Sequence, residues 1–148
     1  MSELTLMVGL PGSGKSTYAK SLQNDITIVL YSDAISKELW GDENEQKNKD
    51  IVFKTLYKRA RNLLLSGKNV IIDATNILKL DRARSLNRFA DLNIKRKAII
   101  IDTPIDECIR RNQLRERKVP VSVIREFATK YVEPTLEEGF DEILRIKV

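Results

Sequence analysis

At 148 residues the chain is long enough to bury a substantial core and is predicted to form one domain, residues 1–148. Its formal charge of +5 favours anionic partners without choosing among nucleotides, nucleic acids and acidic proteins. The lack of histidine excludes imidazole acid–base chemistry and histidine-ligated metal, one cysteine excludes an internal disulfide, and no apolar run approaches the ~20 residues of a membrane span.

Residues 4–8 predict a first strand, and Gly9-Leu10-Pro11-Gly12-Ser13-Gly14-Lys15-Ser16 follows it in the pattern G-x-x-x-x-G-K-[ST]. This is a phosphate-binding loop in its proper context. Glycines at 9, 12 and 14 let the backbone wrap closely round a polyphosphate, so that successive N–H groups meet its oxygens. Lys15 adds a positive charge, Ser16 a hydroxyl for a magnesium ion held on the phosphates, and the helix opening here presents its positive dipole end. Pro11, Ser13 and Thr17 complete the stretch expected to contact nucleotide.

A helix over 17–22 precedes a strand over 27–31 that stops at Ser32-Asp33, after which Ile35, Leu39 and Trp40 have helical spacing. Asp33 is therefore placed at the C-terminal end of a strand, the edge that faces the ligand crevice in an open parallel sheet. Residues 41–50 are polar and predict a surface loop, where mobility is expected. Ile51, Val52, Leu56, Ala60, Leu63 and Leu64 then predict an amphipathic helix over 51–66, stopped by Gly67. A strand at 69–72 ends in Asp73-Ala74-Thr75-Asn76. The basic helix over 81–91, with Arg82, Arg84 and Arg88, reads as a solvated face rather than a binding face.

After Lys95-Arg96-Lys97 a strand spans 98–101, closed by Asp102-Thr103-Pro104, and a helix spans 105–113. Arg110, Arg111, Arg115, Arg117 and Lys118 place five basic residues within nine positions. Pro120 opens a helix over 121–130, and 135–139 leads to a last strand at 142–148. The fold expected is α/β, a P-loop NTPase fold: five strands in a largely parallel sheet flanked by helices, with a helical arginine lid. No basic and apolar signal segment opens the chain, so a cytoplasmic protein without membrane contact is expected.

A phosphate loop serves hydrolysis, switching or phosphoryl transfer, and the polar strand ends bear on which. Asp33 is a general base for an acceptor hydroxyl, or else the N-cap of a helix starting at Ala34. Asp73 follows an apolar strand as a Walker-B acid does, suited to orient magnesium through water. Thr75 and Asn76 hold substrate or cap the turn. Arg110, Arg111 and Arg115 lie where a lid closes over a triphosphate. Trp40 stacks on an acceptor base or packs at a helix end, and Cys108 reads as a small helical residue.

The order G-x-P-G-S-G-K-S-T, Ser32-Asp33, Asp73-Ala74-Thr75-Asn76, Asp102-Thr103-Pro104, Arg110-Arg111-Asn112 and Val119-Pro120 resembles the phage-type 5′-hydroxyl polynucleotide kinase domain, over residues 4 to about 133. The resemblance implies transfer of the ATP γ-phosphate, with Mg2+, to a 5′-OH end of DNA or RNA. By position it makes Lys15 and Ser16 ligands of phosphate and magnesium, Asp33 the general base and Arg115 the lid arginine; Arg111, from the same basic cluster, is expected to contact nucleotide. Asp33, Ser36, Asp73, Thr75 and Asn76 fall on the acceptor side. Two positions depart from the family: its arginine three residues after the base is Ser36 here, beside Lys37, and its acid before the Thr-Asn pair is Ala74, with Asp73 one place earlier. A kinase of a small metabolite, nucleoside or antibiotic is the alternative on the same scaffold. A nucleotide-dependent switch is a third reading, but the chain has no N-K-x-D sequence and would leave Asp33 and a lid arginine without purpose. Homo-oligomer formation is left open.

Overall fold

The computed structural model describes residues 1–41, 49–116 and 118–147. The elements alternate as β1 (Glu3–Val8), α1 (Lys15–Leu22), β2 (Thr27–Tyr31), α2 (Ser32–Trp40), α3 (Lys49–Leu65), β3 (Asn69–Asp73), α4 (Lys79–Arg88), β4 (Lys95–Asp102), α5 (Ile105–Gln113), α6 (Val121–Lys130) and β5 (Glu142–Lys147), with a 3-10 turn at Leu136–Glu138. All strand pairings are parallel, in the order β2-β3-β1-β4-β5. The expected five-stranded α/β architecture is what forms.

Helices cover both faces of the sheet, which is why its central strands are apolar without alternation. Leu4, Leu6 and Val8 of β1 enter the larger core cluster with α2 and α3, while Met7 enters the smaller one with Ala19 of α1. Successive side chains point to opposite faces, so Val70 and Ile72 share the first cluster and Ile71 the second. Helix α3 stops where expected. Gly67 adopts φ +88°, its N–H donates to Leu64 O at 3.1 Å and the Lys68 N–H to Leu63 O at 3.0 Å, closing the last carbonyls in a Schellman-type turn.

Several boundaries differ from expectation. Strand β4 begins at Lys95 rather than at 98, because its basic lead-in is neutralised across the sheet: Lys95 Nζ lies 3.0 Å from Glu142 and Lys97 Nζ 3.0 Å from Glu3. Helix α4 runs from Lys79 to Arg88, earlier than the span 81–91, and ends as Phe89 turns into the core. Ile51, assigned to the core by its spacing, is half-exposed, whereas Tyr57 is buried. Of the polar loop at 41–50, Lys49 and Asp50 already belong to α3, while 42–48 lie outside the described residues, as do Arg117 and Val148. Trp40 packs against the larger core cluster.

Strand β1 is central and the chain leaves its two neighbours, β3 and β4, in opposite lateral directions. The C-terminal ends of the strands there open a crevice, the usual ligand position in such sheets. Into it come the phosphate loop after β1, Asp33 after β2, Asp73 to Asn76 at the end of β3, and Thr103 after β4.

Candidate functional site

The phosphate loop is held from beneath by three other segments. Its Gly9 N–H donates to Thr75 O at 3.0 Å, and the Ser13 carbonyl accepts from Thr103 Oγ1 at 2.7 Å and from Arg111 Nη1 at 3.1 Å. Gly12, at φ +82°, approaches α5 so closely that a Cβ would lie 2.5 Å from Cys108 O. Two constraints, dihedral and steric, thus require glycine there. Gly14, also left-handed at φ +97°, starts α1 without a side-chain cap, leaving the first N–H groups of the helix directed at the crevice. Pro11, Gly12, Gly14, Lys15, Ser16 and Thr17 line the crevice; Gly9 and the buried Ser13 lie behind it.

Two carboxylates come from adjacent strands. Asp73 is the last residue of β3, in register with Tyr31, the last residue of β2. Its Oδ2 accepts the Ser16 hydroxyl at 2.6 Å, while its Oδ1 is buried and has no hydrogen-bond partner among the described residues. A carboxylate with one oxygen on the loop serine and one lacking a donor fits a divalent cation with its water shell. Strand β3 has ended at Asp73, so Ala74 and Thr75 follow it as a turn. Asp33 lies two residues beyond β2 in the first turn of α2, whose N-cap is Tyr31 rather than Asp33. The helix thus begins at Ser32, two residues earlier than the expected start at Ala34. Asp33, Ser36 and Lys37 all line the crevice. Tyr31, which the sequence did not single out, also lines it; burial, and then the Asp73 carboxylate, push its phenol above the ordinary value of 10.0.

Asn76 has the only positive φ outside glycine among the described residues, at 50°. It is buried, and its Nδ2 donates to Met7 O at 2.8 Å, tying the β3 turn to β1. Beneath it lies Arg82, which is fully buried and so corrects the solvated-face reading of α4 at that position. Arg82 Nη1 donates to Asn76 O at 2.9 Å, and its Nε and Nη2 pair with Glu138 at 2.8 and 3.2 Å. A guanidinium inside the fold needs such a full set of acceptors, and these brace the turn that carries Thr75 and Asn76.

The basic segment after β4 divides by partner. Arg110 is exposed and held by Glu107, and hydrogen bonds from Arg110 and Arg111 bring the Glu107 carboxyl to about 2. Arg111 and Arg115 line the crevice. Asn112, fully buried, donates from Nδ2 to Val119 O at 2.6 Å and accepts the Val119 N–H at 2.9 Å. One amide thus closes both ends of the segment joining α5 to α6, and Val119 and Pro120 become crevice wall.

The crevice is a cavity of about 2300 Å3 that is also lined by the first half of α3 and by α4. Nine lysines and arginines and four aspartates line it, an excess of five positive charges against +5 for the entire chain. Of the sequence-predicted site residues, Gly9, Ser13, Arg110 and Trp40 do not line this cavity, and the others do.

Phosphate loop, strand-end acids and arginine-bearing lid over a 2-3-1-4-5 parallel sheet define the class: a P-loop kinase with a nucleotide-binding site. Its family follows from comparison. The chain belongs to the AAA domain family, which matches residues 4–134. It is 27% identical over 146 residues to an L-seryl-tRNA(Sec) kinase of Methanococcus maripaludis, covering 93% of this chain and 56% of that protein. It is 28% identical over 150 residues to the bifunctional polynucleotide phosphatase/kinase of Schizosaccharomyces pombe, covering 95% of this chain and 32% of that protein. The chain therefore spans about half the length of the first relative and a third of the second. Among solved structures, a chain of the Pnkp1/Rnl/Hen1 RNA repair complex superposes with a TM-score of 0.77 at 25% identity, over 87% of this chain and 43% of the other. No helix among the described residues is long and apolar enough to cross a membrane.

Proposed function

We propose that this kinase transfers the γ-phosphate of ATP to the 5′-hydroxyl end of DNA or RNA. The observation that carries the reading is the cationic lining of the cavity: besides the phosphate loop it includes Lys49 and Lys54 of α3 and Arg84 and Arg88 of α4, side chains that suit an acceptor that is itself a polyanion. The similarity to polynucleotide phosphatase/kinases supports the same choice.

In this reading Lys15 and the N–H groups of the loop hold the β- and γ-phosphates, and Arg111 and Arg115 face them from the lid. Ser16 and Asp73 would hold a magnesium ion, which would neutralise phosphate charge. Ser36 and Thr75 border the acceptor, while Asn76 fixes the turn from which Thr75 projects. Asp33 accepts the proton of the terminal hydroxyl as that oxygen bonds to the γ-phosphorus. The bond from phosphorus to the β–γ bridging oxygen breaks, and ADP leaves with the electron pair. Arg115 stabilises the charge spread over the transferred group.

The test is an acceptor panel with γ-labelled ATP: 5′-OH oligonucleotides, nucleosides, sugars and, because of the Methanococcus relative, seryl-tRNA. Label is expected on oligonucleotides with kcat/KM at least ~10-fold above any nucleoside or sugar, since phosphates beyond the reacting nucleotide add binding. Equal or better transfer to a nucleoside, sugar or seryl hydroxyl would overturn the reading.

A further inference from the structure

Besides the phosphate loop and lid, the cavity is lined by α3 and α4, and two arginines of α4 are set apart from most of the others by their partners. Arg59, Arg61, Arg82, Arg110 and Arg145 are each closely paired with a carboxylate. Arg84 and Arg88 are not. Arg84 is exposed and 3.9 Å from Asp81, and no carboxylate among the described residues lies within ion-pair distance of Arg88. They stand four residues apart on one face of α4, one helical turn or about 5.4 Å along the axis.

Their support is rigid. The Arg88 guanidinium lies 5.3 Å from the centroid of the Tyr57 ring. That ring is fixed by a 3.0 Å hydrogen bond between its hydroxyl and Ser85 Oγ and by edge contact with Phe89. Phe53, one turn earlier on α3 and half-buried, lies 5.9 Å from Tyr57 and borders the cavity with it. A cation pair beside an aromatic side chain is the combination that single-stranded nucleic acid recognition uses: charge for the backbone, a ring for a base.

We propose that Arg84 and Arg88 form an acceptor-strand site, engaging phosphates 3′ of the terminal nucleotide, with Phe53 against a base. This rests on the 5′-kinase reading and names the part of the cavity that selects a strand over a nucleoside. A small hydroxyl acceptor carries no phosphate for these residues to engage.

The experiment measures KM for a single-stranded 5′-OH oligonucleotide against salt in wild type, Arg84→Ala, Arg88→Ala, Arg88→Lys and, as an off-cavity control, Lys20→Ala. Each alanine variant at Arg84 or Arg88 is expected to raise the oligonucleotide KM about 10-fold and to lower the salt slope by about 0.7. The same variants leave kcat and the KM for ATP unchanged, and Lys20→Ala leaves both slope and KM unchanged. Arg88→Lys keeps most of the slope, which separates phosphate binding from the packing of Arg88 on Tyr57, and Arg84, exposed and unpacked, gives a variant that folds. Unchanged KM and slope in both alanine variants of an enzyme that labels oligonucleotides would overturn this site while leaving the kinase reading intact. Failure of wild type to label any oligonucleotide would overturn both.

Discussion

Lys15 and Asp33 carry separable tasks, and single substitutions distinguish them. Lys15→Ala removes the point charge of the phosphate loop without removing core volume, so transfer should be lost while the fold persists. Mg-ATP should raise the melting temperature of wild type and do so much less in the variant, because the stabilisation follows the affinity for ATP. Asp33→Asn keeps the shape of the side chain in the first turn of α2 but cannot accept a proton. Turnover should fall by roughly 100-fold or more with the Mg-ATP thermal shift retained. A near-normal rate would deny Asp33 the role of base. Arg82 illustrates what was not legible from residues alone: on a helix rich in arginine nothing local separates a buried guanidinium from a solvated one. Its burial is decided by Glu138, 56 positions away, which no periodicity reveals. By contrast the phosphate loop was fully legible, because its glycines, lysine and serine act through backbone geometry that their own spacing dictates.

Elements tie these residues into a site through two braces. The first is the Arg82–Glu138 pair that links α4 to the turn at Leu136–Glu138. Arg82→Leu should destabilise the fold by about 3–5 kcal/mol, read by urea unfolding, because it leaves a buried carboxylate uncompensated; adding Glu138→Leu should recover much of the loss. Burial alone would raise the Glu138 pKa, but hydrogen bonds from Arg82 and the Thr135 N–H outweigh it and hold it below 4.5. A carboxyl depressed in the folded state contributes fully above its unfolded value and loses that contribution as pH falls through the folded one. Stability should therefore drop below pH 4.5, and this component should be missing in Glu138→Gln. The second brace is Asn112. Its replacement by Ala strips partners from both the N–H and the carbonyl of Val119, at about 1–3 kcal/mol each where they are buried, and should lower kcat by slackening the segment that carries Arg115. If kcat is unchanged while stability falls, the brace serves folding only. Asn112 and Val119 were visible as part of a pattern, yet their joining is a tertiary contact that sequence spacing does not state.

For the whole molecule the decisive feature is that a chain of net charge +5 lines one cavity with an equal excess of cations. The strand order was implied only as far as alternating periods imply a parallel sheet; which strands are neighbours depends on how crossovers pack, and so does which helices come to line the cavity. The binding consequence is a salt dependence: the oligonucleotide KM should rise with salt more steeply than the KM for ATP, since every neutralised phosphate releases counterions. The most direct test of the central claim pairs one oligonucleotide bearing a 5′-hydroxyl with the same oligonucleotide already phosphorylated at that end, each incubated with γ-labelled ATP and Mg2+. Label should enter only the first, and nuclease digestion should return it on the 5′-terminal nucleotide; equal labelling of the blocked strand, or label at any other hydroxyl, would contradict it.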